Sequence, residues 1–137
     1  MALQRTKLLD VTAVVGMSTV GIFTVGINTV RQGGGAVGIA STSYIRSVIM
    51  HNTGLGTARV GLYVNPNTPS VVGYGSTAQR ILRVDIAPNE TTFFESNYPI
   101  VMTHNDSIAV DVTAPDSGGT GIGSMVNFII NGDTDIT

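Results

Sequence analysis

The chain has 137 residues and a formal net charge of −2, and only 12% of its residues are charged. This length suits one domain, and the lack of a basic excess argues against a nucleic-acid-binding protein. The chain has no cysteine, which excludes disulfides, thiolate nucleophiles and zinc–sulfur sites. Valine, isoleucine and threonine make up 47 of the 137 residues. Because β-branched side chains favour strands over helices, we predict an all-β protein.

The first 43 residues differ in character from the rest. The dipeptide Thr-Val recurs every five residues, beginning at Thr19, Thr24 and Thr29. An odd period moves the side chains to the other face of a strand at each repeat, so it does not predict a regular amphipathic strand. We therefore predict that residues 1–43 form an extended N-terminal arm that pairs with a neighbouring chain. The alternative is an ordinary first strand or hairpin folded onto the same chain.

Short strands separated by turns follow in residues 44–137. Most of them alternate apolar and polar side chains, which is typical of strands with one buried face. The predicted strands cover 44–51, 58–64, 82–86, 91–95, 100–102, 108–112 and 126–130. We predict that this body is an antiparallel β-sandwich, immunoglobulin-like or jelly-roll. Four side chains on the apolar phase of their strands should point into its core: Leu62, Val84, Val110 and Phe128.

Two places have residue types found in metal sites. His104 and Asp106 are two positions apart and could face the same side of a strand. No third ligand is evident, so we favour a turn in which Asn105 and Asp106 cap backbone groups. Residues 131–135 place oxygen ligands at alternate positions, but they lack the spacing of a calcium loop, and a polar, frayed tail is the simpler interpretation. We predict no metal site.

Catalytic patterns are equally incomplete. His51 could join a Ser–His–Asp triad on paper, but no nucleophile elbow accompanies it. The glycine-rich segments 33–35 and 73–75 are not followed by the Gly-Lys-Ser/Thr that binds phosphates. Glu90 and Glu95 lie at opposite ends of one predicted strand, which does not suit a paired-carboxylate glycosidase. We predict that the protein is not an enzyme and has no cofactor.

Arginine dominates the basic residues, with six arginines and one lysine. Four lie in predicted strands or at their edges: Arg46, Arg59, Arg80 and Arg83. Together with Asp85 and Asp111 they could form cross-strand ion pairs on the outer faces. The alternative is pairing between subunits, where arginine is favoured over lysine.

Five segments of the predicted body carry a family resemblance. They are Ser-Tyr-Ile-Arg-Ser-Val-Ile-Met-His-Asn-Thr-Gly at 43–54, Ala-Arg-Val-Gly-Leu-Tyr-Val at 58–64, Ala-Pro-Asn-Glu-Thr-Thr-Phe-Phe-Glu at 87–95, Tyr-Pro-Ile-Val at 98–101 and Asn-Asp-Ser-Ile at 105–108. Over residues 40–132 the pattern resembles small virion structural proteins of tailed bacteriophages, especially marine phages that infect cyanobacteria. The resemblance implies a β-sandwich building block of a virus particle.

Within that resemblance we favour a capsid decoration (cement) protein that binds the major capsid protein of the assembled shell as a symmetric homo-oligomer such as a trimer. A neck, tail or fibre-attachment protein is the first alternative, because these proteins share such folds. A carbohydrate-binding sandwich is the alternative from another class, and its aromatic platform would have to come from Tyr63, Tyr74 and Tyr98. We expect no direct contact with nucleic acid.

The expected location is the virion, after synthesis in the host cytoplasm. The first ten residues lack the apolar region of a signal peptide, and no apolar run reaches about 18 residues, so we predict no membrane segment.

Overall fold

The computed structural model of the protein describes residues 3–15, 19–32, 35–40, 42–66, 79–115 and 125–135. The elements in these ranges are all β-strands, and every pair of neighbouring strands is antiparallel. The strands are β1 (Leu3–Val15), β2 (Val20–Thr24), β3 (Ile27–Gln32), β4 (Gly35–Ala40), β5 (Thr42–Asn52), β6 (Ala58–Asn65), β7 (Arg80–Ile86), β8 (Thr91–Met102), β9 (Ser107–Thr113) and β10 (Met125–Asp135).

Eight strands form two four-stranded sheets that pack as a sandwich, which confirms the predicted fold class. Sheet 1 has the order β1-β10-β5-β8, and sheet 2 has the order β2-β9-β6-β7. Strands β3 and β4 form a separate two-stranded hairpin. Within the described ranges, no helix is long and apolar enough to cross a membrane.

The core lies between the inner faces of the two sheets. Leu62, Val110 and Phe128 are almost completely buried there, and Val84 is partly buried against the same cluster. The predicted inward phase of all four strands is therefore confirmed. Full burial of an apolar side chain of this kind stabilises a fold by about 1.5–3 kcal/mol.

Strands β1 and β2 are edge strands of the sandwich. β1 pairs with β10, and β2 pairs with β9 of the same chain. Val14 and Val25 are buried in the core. The structure thus differs from the expectation that this part of the chain leaves its own sandwich and pairs with a neighbour. The division of the chain at residue 43 into an arm and a body stays a prediction.

The copies of the five-residue repeat lie in two different strands, because Thr19-Val20 and Thr24-Val25 fall at the ends of β2 and Thr29-Val30 falls in β3. The pairing of the N-terminal strands is also irregular. The register of β2 against β9 shifts between Gly21 and Phe23. The register of β1 against β10 also shifts twice, between Lys7 and Leu9 and between Leu9 and Thr12. Each such bulge adds one residue to the strand, so the apolar side chains after it can again point toward the core. Bulged strands can therefore pack on the core without a strict period of two.

The last strand is longer than predicted. The sequence predicts a frayed tail at residues 131–135, but β10 continues to Asp135 and pairs with both β1 and β5. Two neighbouring strands satisfy its backbone groups, so its polar side chains do not end the strand. A Cβ atom at Gly132 would collide with the carbonyl oxygen of Tyr44, which explains the glycine at this close approach.

Strand β8 is also longer than predicted, because the segments 91–95 and 100–102 belong to one strand. Its register against β5 shifts between the pairs Ser47↔Glu95 and Ile45↔Ile100. Residues 96–99 therefore lie in an irregular part of the strand, and they include Pro99, which cannot donate a backbone hydrogen bond.

Candidate interaction surface

His104 and Asp106, the two residues considered as metal ligands and set aside, both make hydrogen-bond contacts within the chain. Asp106 Oδ2 accepts hydrogen bonds from the backbone N–H of Thr103 at 2.8 Å and from the Thr103 hydroxyl at 3.1 Å. This confirms that Asp106 caps a turn. His104 Nδ1 lies 3.4 Å from the carbonyl oxygen of Gly26. In the part of the chain that the structure describes, no group of three or more His, Asp or Glu side chains is placed to hold a metal ion.

The residues weighed as catalytic are likewise dispersed. His51 Nδ1 lies 2.8 Å from Thr91 Oγ1, across the pairing of β5 with β8. The carboxylate of Glu90 accepts a 3.4 Å hydrogen bond from the backbone N–H of Ala87 in the preceding turn. Residues 33–34 and 73–75 of the glycine-rich segments lie outside the described residues. The absence of enzymatic activity stays a prediction.

One of the predicted ion pairs forms on the outer face of sheet 2. Arg59 Nε donates to Asp85 Oδ1 at 2.7 Å, and Arg59 Nη2 donates to Asp85 Oδ2 at 3.0 Å. These residues are directly paired on β6 and β7. The hydrogen bond from Arg59 lowers the pKa of Asp85 below its ordinary value. The pair is partly exposed, so it contributes little to stability.

A second polar contact on this face removes one member of the proposed sugar platform. The Tyr63 hydroxyl donates to Asp111 Oδ2 at 3.2 Å, and a side chain at Gly61 would collide with that carboxylate. Burial raises the pKa of Tyr63, and the negative charge of Asp111 raises it further. Tyr63 is 4% exposed, so its ring is not available to stack on a sugar, whereas Tyr98 is 83% exposed. Tyr74 lies outside the described residues.

Sheet 1 contains an ion pair that the sequence did not reveal. Arg46 Nε donates to Asp133 Oδ2 at 2.6 Å, and the Asp133 side chain is 8% exposed. In the pairing of β5 with β10, Ser47 lies opposite Asn131 and Ile45 lies opposite Gly132, so Arg46 between them is a bulge residue. The bulge places its side chain beside Asp133. The two residues are 87 positions apart, so no local pattern could have paired them.

The outer face of sheet 1 also carries a row of four apolar side chains, one from each strand. Ile49 of β5 pairs with Phe93 of β8 and with Ile129 of β10. Val11 of β1 lies beside Ile129, at a bulge in the pairing of β1 with β10. Phe93 and Val11, at the two ends, are 59% and 58% exposed, and the two central side chains are half-buried. We call these four residues the apolar row.

Less apolar rows flank it on both sides. One consists of Ala13, Asn127, His51 and Thr91, and the other of Lys7, Asn131, Ser47 and Glu95. Single exposed apolar side chains are normal on a protein surface, but a contiguous strip bordered by polar residues is typical of an interaction site. The outer face of sheet 1 is therefore the candidate interaction surface of this protein.

Sequence reasoning missed this surface although one signal was present. Ile49, Phe93 and Ile129 are apolar, although each alternates with the core-facing residues of its predicted strand and should therefore point outward. A strand pattern shows that such residues face outward, but it does not show that they are neighbours. Their alignment follows from the register of β8, β5 and β10.

Comparisons with known proteins add little to this geometry. No protein-family model matches the chain, and no curated protein matches it. Among solved structures, the chain is similar to one described as the structure of the infectious bursal disease virus Gt strain, with a TM-score of 0.35 and 11% sequence identity. The match covers 97% of this chain but 32% of that one, and a likeness at this TM-score assigns neither a fold nor a function. None of these comparisons supports a relation to phages of cyanobacteria in particular.

Proposed function

We propose that the protein is a structural component of a virus particle, and more specifically a capsid decoration protein that binds the assembled shell. The observation that carries this proposal is the apolar row, because a protein that is built into a particle covers such a strip with its neighbours. The resemblance of residues 40–132 to small virion proteins of tailed phages supports the same class.

The two outer faces suit different environments. Sheet 2 presents the Arg59–Asp85 ion pair and the polar Tyr63–Asp111 contact. Sheet 1 presents the apolar row. In the proposed orientation sheet 1 faces the major capsid protein, and sheet 2 faces solvent.

The contact made by one copy would be small, so binding would gain from association of several copies. A symmetric homo-oligomer such as a trimer presents several apolar rows at once, and its second and third contacts form at a high effective concentration. The proposal involves no direct contact with nucleic acid, and it places the protein in the virion after synthesis in the host cytoplasm.

Particle composition and imaging test this proposal. We expect mass spectrometry to find the chain in purified particles of the virus that encodes it, and imaging to show its density at repeated positions over the shell. Density confined to one vertex, to the tail or to the fibres would instead identify a neck, tail or fibre-attachment protein. Absence from purified particles, combined with presence in infected cells, would reject the virion role.

A matched pair of variants tests the surface. Ile49 lies in the middle of the apolar row, and Ile81 is 42% exposed on β7 of sheet 2. Binding of the purified chain to particles stripped of it should weaken roughly tenfold in Ile49→Thr, as for a residue at the centre of an interface. Ile81→Thr should bind like the native chain. Equal effects of the two changes would show that sheet 1 does not face the shell.

A further inference from the structure

Sheet 1 ends in two long edge strands. β1 has 13 residues and β8 has 12, and each pairs on one side only within the described chain. A long edge strand presents unpaired backbone groups to which another strand can add. The second half of β8 is protected against this by Pro99 and by the register shift between Glu95 and Ile100. Its first half is not, because the one charged side chain there is Glu95 and Phe93 is exposed.

The directions of the two edges fit each other. Three antiparallel pairings separate β1 from β8, so these two strands run in opposite directions. A second copy placed beside the first in the same orientation therefore presents its β1 antiparallel to β8 of the first. The two sheets would then form one continuous antiparallel sheet, with both outer faces on the same side.

The rows of the outer face also match at such a junction. The apolar row ends in Phe93 on β8 and in Val11 on β1, so two apolar side chains meet. The row through Ser47 and Asn131 ends in Glu95 on β8 and in Lys7 on β1. These two charges face each other when the two bulges of β1 between Lys7 and Thr12 are kept in the new pairing. Lys7 already pairs with Asp10 at 3.1 Å, so its ammonium group would then lie between two carboxylates. Cross-strand apolar pairs and opposite-charge pairs each stabilise a sheet.

Pairing of two β8 strands matches less well. Such a two-fold contact would bring two Glu95 carboxylates into the same strand pair, and it would leave the exposed Val11 uncovered. Like charges in a strand pair are destabilising when they face each other.

We propose that copies of this chain associate head to tail through sheet 1, with β8 of one copy paired to β1 of the next. The proposal deepens the self-association within the proposed function, but it concerns copies of this chain alone. Two different edges meet, so the contact is heterologous. It closes into a ring when the rotation between copies divides a full turn, and it otherwise gives a filament.

The chain lacks cysteine, so introduced cysteines can test the junction cleanly. Ala13 and Thr91 are the exposed ends of the remaining row, which runs between them through Asn127 and His51. At the proposed junction these two positions face each other. Both substitutions, Ala13→Cys and Thr91→Cys, leave the apolar row intact.

We expect a disulfide-linked dimer on a non-reducing gel when the two single variants are mixed and oxidised, and a ladder of larger products from the double variant. Neither single variant alone should cross-link above the level of Leu55→Cys, which is placed in the turn between β5 and β6 at a side chain that is 96% exposed. Equal cross-linking of Thr91→Cys with itself would show two-fold pairing of β8 and overturn the proposal. Cross-linking of the mixture at no more than the control level would overturn it as well.

Sedimentation provides a second measurement on the purified chain. Phe93→Lys should raise the dissociation constant for self-association at least about tenfold, because it places a charge in the junction, while Leu55→Lys should not change it. A native chain that sediments as a monomer at its highest soluble concentration would reject the proposal. These experiments use no particle, so their failure would leave the virion role in place, and failure of the particle experiments would leave this association in place.

Discussion

At the scale of single residues, Asn52 connects the two sheets. It is the last residue of β5 in sheet 1 and is completely buried. Its amide nitrogen donates to the carbonyl oxygens of Gly56 at 2.9 Å and of Ile86, at the end of β7 in sheet 2, at 2.8 Å. Its amide oxygen accepts from the backbone N–H of Gly54 at 2.8 Å. One side chain thus satisfies three backbone groups where the sheets meet.

Replacing this amide should therefore destabilise the fold. Asn52→Ala leaves three backbone groups without their partner, and we expect a loss of about 3 kcal/mol in the free energy of unfolding, measured by urea denaturation. Asn65→Ala is the matched control, because Asn65 is also buried but its side-chain amide has no hydrogen-bond partner within the described structure. An equal loss in the two variants would contradict the role of the Asn52 hydrogen bonds.

Phe128 is the largest completely buried side chain of the core. Phe128→Ala should lower the free energy of unfolding by about 3–5 kcal/mol, because it removes buried apolar surface and leaves a cavity. A loss below about 1 kcal/mol, again measured with urea, would be incompatible with this position in the core.

Tyr63 should make stability depend on alkaline pH. Its pKa is raised in the folded state above the ordinary value of 10.0, first by burial and then by Asp111. As the pH rises past that value, the unfolded chain loses this proton before the folded chain does, so stability falls until the folded pKa is passed.

The melting temperature measured from about pH 8 to about pH 11 tests this effect. Tyr63→Phe should melt lower than the native chain near pH 8, because it loses the hydrogen bond to Asp111, and its melting temperature should fall less steeply above pH 10. Tyr98→Phe, at an exposed side chain, is the control and should follow the native profile. If the melting temperature of Tyr63→Phe fell as steeply above pH 10 as that of the native chain, loss of the Tyr63 proton would not be the cause of the alkaline decrease in stability.

At the scale of elements, β1 and β2 determine how the N-terminal segment behaves. β1 covers one side of β10, and β2 covers one side of β9. They contribute Leu8, Leu9 and Val14, and Ile22 and Phe23, to the core or to its border. These strands therefore bury apolar surface within their own sandwich, although their sequence has no regular alternation.

Deleting residues 1–30 tests this placement. The deletion removes β1 and β2, and with them Val14 and Val25 of the core. We expect the shortened chain to unfold as an isolated subunit, which circular dichroism and the loss of a cooperative melting transition would show. A shortened chain that folds but no longer assembles would instead support an arm that pairs with a neighbouring chain.

At the scale of the whole molecule, stability comes from apolar packing and strand pairing. The described carboxylates and histidines lie apart or bind neighbouring residues, as Asp133 binds Arg46 and Asp106 binds Thr103. In the described part of the sandwich they form no cluster that could hold a metal ion.

Removal of metal should therefore leave the fold unchanged. We expect the same melting temperature with and without a chelator, measured on protein purified without added metal. A decrease of several degrees would show that a metal ion contributes to the folded state, and His104, Asp106, Asp133 and Asp135 would then be the first ligands to test by substitution.

Local sequence features were enough to predict the all-β class, the approximate position of most strands after residue 43, and the inward phase of Leu62, Val110 and Phe128. These features have local causes, because β-branched side chains favour extended backbone, turn residues interrupt it, and alternation within one strand selects the buried face. The turn capped by Asp106 was predictable in the same way, whereas the sequence only indicated that arginines could pair with Asp85 and Asp111 and not which pair would form.

The choice of neighbouring strands and their alignment followed from packing in three dimensions. The pairing of β1 with β10, the extension of β10 to Asp135, the contact of Arg46 with Asp133 and the apolar row all depend on register between strands that are distant in the sequence. The alternation within a strand shows which of its side chains share a face, but it does not show which other strand lies beside that strand. That choice follows from packing all strands around one core, and bulges can then shift the alignment by a residue.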